Sequence, residues 1–402
     1  MPVYLYDDPA DVPRFLPFTE SRPIGELRHG AWLLRERVEQ VCGAVAGHLA
    51  APHLADFSDP GAPPVVSAPE ARSSLILRST FVPGQERPDL TSLADAPGVR
   101  LTDSAGEVIG AQVRSGADWK GPKNIPASWP ALVLPGKRLT GVWEIVADLL
   151  ETLRADVNAV LDDHEGGRIP AGCTVLGPPE SLLVADGALV EPMVVFDTRN
   201  GPIWIQEGAE IRTFVRLAGP LVIGRGTRIV GGQLREASIG PRCVVHGEVS
   251  NSIFLGYSNK AHDGFLGHTI VGRWANLGAG TINSNLKNTY GSVRLQLGGQ
   301  RIDTGMQFLG ALVGDHVKTA IGTMLPTGCV IGTGANIFGS KRPESAVKPF
   351  AWGTDEAGKV VDCQIFAQTA AKVLSRRNVE FDDRMKRYLA SIWAHCTGKP
   401  CA

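Results

Sequence analysis

An aliphatic residue followed by glycine returns every 16 positions in the middle of this chain, at Ile223-Gly224, Ile239-Gly240, Leu255-Gly256 and Val271-Gly272. Further aliphatics extend the pattern at Leu277, Val313, Ile321 and Ile331, and intermediate ones (Ile205, Ile211, Leu217, Ile229, Leu234) mostly fall five or six apart. This is the hexapeptide-type period of a parallel β-solenoid. Three short strands make each coil, one aliphatic per face points inward, and stacking aligns these into an apolar column. Glycine is expected to relieve corners that need φ > 0. One coil cannot bury its own face, so about three or more are needed. A β-sandwich with regular turns is the alternative.

Composition agrees with a turn-rich chain: 402 residues hold 47 Gly and 28 Pro, with aromatics at only 6%. Forty Lys+Arg against 41 Asp+Glu leave a net charge of −1, which argues against a nucleic-acid partner held by a basic stripe. No apolar run reaches the length of a membrane span. The seven cysteines (42, 173, 243, 329, 363, 396, 401) form no CxxC and no paired framework. Behind a polar, acidic start they read as reduced thiols, so a cytoplasmic protein is expected.

Ahead of the solenoid, residues 2–7 (PVYLYD) read as a strand. LPFTESRPIGELRHG at 16–30 reads as a loop that becomes a helix running through Trp32, Leu33, Leu34 and Val38. Strand, charged loop, helix is how an α/β nucleotide-handling domain begins. The plainer reading is that Arg22 and Glu26 only cap and solubilise that helix. Pro/Ala-rich loops are expected at 59–72 and 83–98, a buried strand at 73–83 between them, and a helix over 141–161 from its 3.6-residue period. The stretch DDHEGGRIPAG reads as a linker, giving domains at 1–165, 166–362 and 363–402. The coil register breaks at 283–304, where a loop excursion with a small hairpin is expected. Two amphipathic helices follow Phe350, the second capped by Asp382 or Asp383, and are expected to cover the open end of the solenoid.

Four histidines, His246, His262, His268 and His316, fall in the functional half. His262 sits in the polar insertion NKAHDGFLG, and an imidazole is suited to taking a proton from an attacking amine or hydroxyl. Asn276, Asn283 and Asn285 could hold sugar hydroxyls or orient that histidine. Gly278-Ala279-Gly280 leaves a backbone open to a thioester, with a main-chain N–H facing a developing oxyanion. Lys260 and Lys287 could receive a phosphate. The structural alternative makes the asparagines turn formers and the lysines solvated charges. No cysteine lies in this stretch, which favours direct attack over an acyl-enzyme. Two other classes stay open: a zinc site of carbonic-anhydrase type on His246, His262 and His268, and a non-catalytic sugar-nucleotide-binding scaffold.

The stretches LPFTESRP, LGYSNKAHDGFLG…ANLGAGTINSNLKNTYG and GDHVKTAIGTMLPTG together resemble the bacterial bifunctional N-acetylglucosamine-1-phosphate uridylyltransferase/glucosamine-1-phosphate acetyltransferase family, in its shorter alternate form. The resemblance implies a truncated nucleotidyltransferase-like α/β domain, an all-β left-handed parallel β-helix of hexapeptide repeats, and C-terminal helices. It also implies a homotrimer with acetyl-CoA bound between subunits. His262 matches the base that deprotonates the sugar amine. Lys260, Asn276, Asn285, Lys287 and Tyr290 are expected on the acceptor, an amino-sugar phosphate such as glucosamine 1-phosphate. Ala279, Gly280 and Lys318 are expected on acetyl-CoA. Arg22, Glu26 and Arg28 are the expected nucleotide contacts, with Mg2+ needed only if the first domain is active; no resident metal is expected. The chain departs from the family at Phe265, where a Tyr stands, at Ser250, where a Lys stands, and in having no GxGTRM loop. Arg78 and Ser79 occupy the place of the metal-binding Asp.

Overall fold

A computed structural model describes all residues except 71, 85–96, 165, 357 and 402. The first domain is built on a six-stranded sheet in the order Val45–Leu49, Val3–Tyr6, Ser74–Arg78, Val108–Val113, Gly98–Thr102, Ala131–Val133. All run parallel except Val108–Val113, which is antiparallel to both of its neighbours. VYLY at 3–6 is apolar throughout because both of its faces are buried. Val3 and Leu5 join one core, Tyr4 and Tyr6 the other.

Residues 16–33 do not make the expected helix. They form short 3-10 turns at Phe18–Glu20 and Ile24–Glu26 and a hairpin pairing Arg28–His29 with Trp32–Leu33, and helix α1 starts only at Leu34 (Leu34–Cys42). Pro17 and Pro23 remove donors a helix needs. Gly30, at φ +67°, turns where any Cβ would strike the Asp156 carboxylate. The strand expected at 73–83 is two, Ser74–Arg78 and Phe81–Pro83. The helix expected at 141–161 is also two, α2 (Trp143–Ala147) and α3 (Leu149–Asp162), divided at Asp148. Of the expected loop at 83–98, residues 85–96 lie outside the described residues.

From Thr174 the chain winds into a parallel β-solenoid of about ten turns. One inward column runs Ile205, Ile223, Ile239, Phe254, Val271, Val313, Ile331, Val347 in direct register. The 16-residue reading therefore slips at one place: Phe254, not Leu255, points inward. Ile321 does not point inward either; it is 79% exposed.

The repeated glycine has a different cause from the one expected. A Cβ on Gly224 would lie 2.6 Å from the backbone of Gly240, and one on Gly272 2.6 Å from the Asp315 nitrogen. These glycines admit the next coil. The positive φ falls three residues after each inward apolar residue, on Gly226, Arg242, Tyr257, Trp274, His316, Gly334 and Phe350, which line one corner; of the four repeated glycines only Gly256, one step out of register, has a positive φ itself, +133°.

Consecutive apolar residues such as Val222-Ile223, Ile253-Phe254, Ile270-Val271 and Leu312-Val313 mark a sheet that is apolar on both sides. Its outer positions, Val222, Ile253, Ile270, Leu312 and Val330, form one core with Phe15, Phe18, Ile24, Leu27 and α2–α3 of the first domain. The hairpin expected in the 283–304 excursion is present (Arg294–Leu297 with Gln300–Asp303) and adds Leu295 and Leu297 to that core.

The C-terminal helices α4 (Cys363–Ser375) and α5 (Asp383–Thr397) do form. The α5 cap is Asp382, whose carboxylate accepts from the Met385 N–H at 2.7 Å. They do not close the end of the solenoid. They lie on the corner of Tyr257, Trp274, His316 and Phe350, whose left-handed backbone throws large side chains outward. Nor are all the cysteines free: Cys363 and Cys401, with Cα atoms 5.7 Å apart where the tail folds back on α4, form a disulfide.

Candidate functional site

A second inward column runs Ile211, Ile229, Val245, Lys260, then Leu277, Thr319 and Ile337. Lys260 thus occupies an aliphatic position and is 2% exposed. Its amine donates to the carbonyls of His246 (3.1 Å) and His262 (2.5 Å), and burial pushes its pKa down to about 8. It fastens the turn that carries His262 from below, and is no surface phosphate receiver.

His262 itself is exposed. The neighbouring Asp263 carbonyl accepts from the Gly280 N–H at 3.0 Å, and the Ala279 carbonyl accepts from the Gly322 N–H at 2.7 Å. Three successive turns therefore stack: the imidazole on one, the small Gly278-Ala279-Gly280 corner on the next. His246 Nδ1 lies 3.1 Å from the exposed Asp263 carboxylate.

The other expected residues fall into separate groups. Asn276 faces outward one coil from Asn259, which donates to it at 2.8 Å, and one coil from Lys318. Asn276, Asn259 and Lys318 line a cleft of about 190 Å³ with Arg376 and Arg377 from the end of α4. Asn285 is engaged with His268 at 2.9 Å, and His268 stacks on Phe308. Burial, with Arg235 second, pushes His268 down to about 4. Asn283 is a coil tie, exchanging bonds with the Gly267 N–H and carbonyl at 2.8 and 3.0 Å. Lys287 donates to the Ser292 carbonyl inside the excursion, where Tyr290 is 67% exposed. Among the described residues no three His, Cys, Asp or Glu side chains converge as a metal site. The sequence reading missed Asn259, Arg376 and Arg377. Only the 17-residue separation of Asn259 and Asn276, one coil apart, could have signalled the first.

The three residues expected at a nucleotide are internal ties. Arg22, 2% exposed, binds Asp315 of the solenoid through Nε and Nη2 (2.9 and 2.6 Å) and Asp59 through Nη1 (2.8 Å). Glu26 holds Arg35 (2.6 Å) and His48 (2.9 Å), and Arg28 donates to the Ala31 carbonyl. Ligands of open α/β sheets bind beyond the carboxyl ends of the parallel strands. There, Asp11 already accepts from Arg78 (2.6 and 2.9 Å) and Thr80 (3.0 Å), and Asp8 lies 3.4 Å from Arg78. Carboxylates neutralised by an arginine do not fit a divalent cation.

The fold and these sites define a two-part protein: an α/β domain docked along a parallel β-solenoid that carries polar groups on its turns. Residues 3–165 match the sugar nucleotidyl transferase family. The chain is 34% identical over 91 residues to the bifunctional sugar-1-phosphate nucleotidylyltransferase/acetyltransferase of Sulfurisphaera tokodaii, and that stretch is 23% of each protein. It is 32% identical over 113 residues, 27% of each, to the bifunctional protein GlmU of Methanococcus vannielii, and 32% over 90 residues, 22% of each, to that of Methanococcus maripaludis. The matched stretches thus span about a quarter of these relatives. Residues 3–165 are thus similar to sugar nucleotidyl transferases, and shorter stretches to GlmU-like bifunctional proteins. No helix among the described residues is long and apolar enough to cross a membrane.

Proposed function

We propose that this protein is a transferase moving an acetyl group from acetyl-CoA to the amine of an amino-sugar phosphate, with glucosamine 1-phosphate as the first acceptor to test. The observation that carries this reading is the stacking of the exposed His262 turn on the Ala279-Gly280 corner, joined by the Gly280 N–H to the Asp263 carbonyl. His262 takes the proton from the sugar amine as the nitrogen attacks the thioester carbonyl. The N–C bond forms, the C–S bond breaks, and the proton leaves with the thiol. The small corner gives the thioester room, and the Ala279 backbone would face the developing oxyanion, since the Gly278 and Gly280 N–H groups already donate to the Thr319 and Asp263 carbonyls.

Apolar side chains beside that corner, Ile282 paired with Met324 and the exposed Ile321, support a homotrimer with acetyl-CoA between subunits. A left-handed coil and a cytoplasmic location belong to the same reading. Asn276, Asn285, Lys287 and Tyr290 would meet the acceptor only across such an interface, since one chain holds them apart.

The family match over residues 3–165 favours a second reading, nucleotidyl transfer by the first domain, with Arg22, Glu26 and Arg28 nearby. The engaged state of those residues and of Asp8 and Asp11 weighs against it. Thiol release from acetyl-CoA with glucosamine 1-phosphate tests the first reading, and pyrophosphate release on adding UTP and magnesium tests the second. His262→Ala should lower thiol release by roughly 10²–10⁴ with the fold intact; turnover within a factor of about two of the parent would remove His262 as the base.

A further inference from the structure

The cleft between the solenoid and the end of α4 gathers cations without anions. Lys318 and Arg376 and Arg377 line it. Arg228 stands at the outward position of the same strand column, which runs Arg228, Val244, Asn259, Asn276, Lys318. Arg242, on the adjoining corner, donates to the Arg377 carbonyl at 3.4 Å. Among the described residues no carboxylate pairs with any of these five, although most other arginines of the chain are paired. Arg377 Nε is buried with no hydrogen-bond partner. Burial first, and then the positive charges of Arg228 and Arg376, hold the Arg377 guanidinium below its ordinary value.

Arginines at the end of a helix complement its dipole, which accounts for Arg376 and Arg377 standing there. It does not account for Lys318 on the facing strand. Like charges in one cleft repel, and an anion that bridges them turns that repulsion into several charge-assisted bonds. Beside the cations, Asn276 presents an amide whose oxygen is used by Asn259 and whose N–H₂ faces the cleft without a partner among the described residues. Buried Tyr257 and Trp274, ring centroids 4.4 Å apart, form the floor.

We infer that this cleft is a binding site for the phosphoryl groups of a small diphosphate-bearing molecule, held by Arg376, Arg377 and Lys318, with Asn276 for a neighbouring hydroxyl. Three cations match a diphosphate better than a single phosphate. The cleft shares Asn276 and Lys318 with the acetyl-transfer reading and adds Arg376 and Arg377 to it, but its test does not depend on that reading, because binding is read with no acyl donor or acceptor present.

The test is calorimetric titration of the full chain with inorganic pyrophosphate at constant ionic strength, repeated on Arg377→Gln and Arg376→Gln. The expected result is saturable one-to-one binding, weakened about tenfold or more by each change, as befits the loss of a charge-assisted hydrogen bond. Circular dichroism establishes that each variant is folded. Both residues stand at the surface end of α4, so a second variant, Lys318→Gln, serves if either fails. Absence of binding by the parent chain, or equal binding by all folded variants, overturns the proposal. Acetyl transfer can fail in the parent while pyrophosphate still binds, so the two ideas are judged apart.

Discussion

At the scale of single residues, Lys260 shows how a charge inside an aliphatic column is tolerated. Its stem fills the place that Val245 and Leu277 fill in neighbouring coils, and its amine finds two carbonyls of adjacent turns. Because its pKa lies near 8 when folded and near 10.4 when unfolded, the unfolded chain binds more protons between those values. Stability should therefore rise with pH across that window. Lys260→Met should abolish this rise and leave the protein at least as stable at neutral pH, since an apolar residue replaces a buried charge. It should also slacken the His262 turn and lower kcat by roughly 10- to 100-fold. Unchanged kcat in a folded variant would mean the lysine positions nothing.

Among the elements, the coil corners separate two requirements that sequence inspection merges into one. Gly272 is small because Asp315 of the next coil lies against it, whereas the left-handed conformation belongs to Trp274. Gly272→Ala should accordingly cost about 1–3 kcal/mol through overpacking, read as a lower urea midpoint with unchanged m-value. A loss below about 0.5 kcal/mol would show that the coils can part at no expense. The same corner explains the C-terminal helices. Large side chains at positive φ point away from the coil and need cover, and His316 meets Phe366 edge-on at 5.4 Å while Phe350 does so at 4.9 Å.

On the scale of the whole molecule, one buried network joins the three parts. Arg22 of the first domain and Asp315 of the solenoid meet Asp59 and Arg273, and Tyr388 of α5 donates to the Ser21 carbonyl. Asp315→Ala leaves Arg22 with half its partners and should cost about 3–5 kcal/mol, measurable by chemical denaturation. An unaltered unfolding curve would contradict this. Glu20 adds a pH term: burial raises it to about 7, although the Thr333 N–H donates to it at 2.6 Å. Its stabilising protonated form is retained below about 4.5, the unfolded value, and lost as pH rises through about 7. Glu20→Gln should therefore gain about 1–3 kcal/mol relative to the parent between pH 5 and 8. His268, at about 4 when folded, acts in the opposite sense below pH 6.5 and is common to both proteins, so the difference isolates Glu20. An equal pH slope in the variant would rule Glu20 out.

Much of the architecture could be read along the chain because its causes are local and repeated. Inward aliphatics recur with the coil, the excursion at 283–304 interrupts them, and Asp382 caps α5 within four residues of itself. The small Ala279 corner and the polar His262 turn were visible for the same reason. Other features depend on contacts hundreds of residues apart. Paired aliphatics such as Ile270-Val271 announce a sheet buried on both faces, but only packing shows that the first domain is the cover. Arg22 looks like a ligand-binding loop residue until Asp315, 293 positions away, claims it. Lys260 looks like a surface charge until the register turns it inward. Arg376 and Arg377 look like an ordinary helix end until folding sets them against Lys318 and Asn276. Periodicity reports which way a side chain faces within its own coil. What it faces is settled by long-range burial and charge pairing, which leave no periodic trace in the chain.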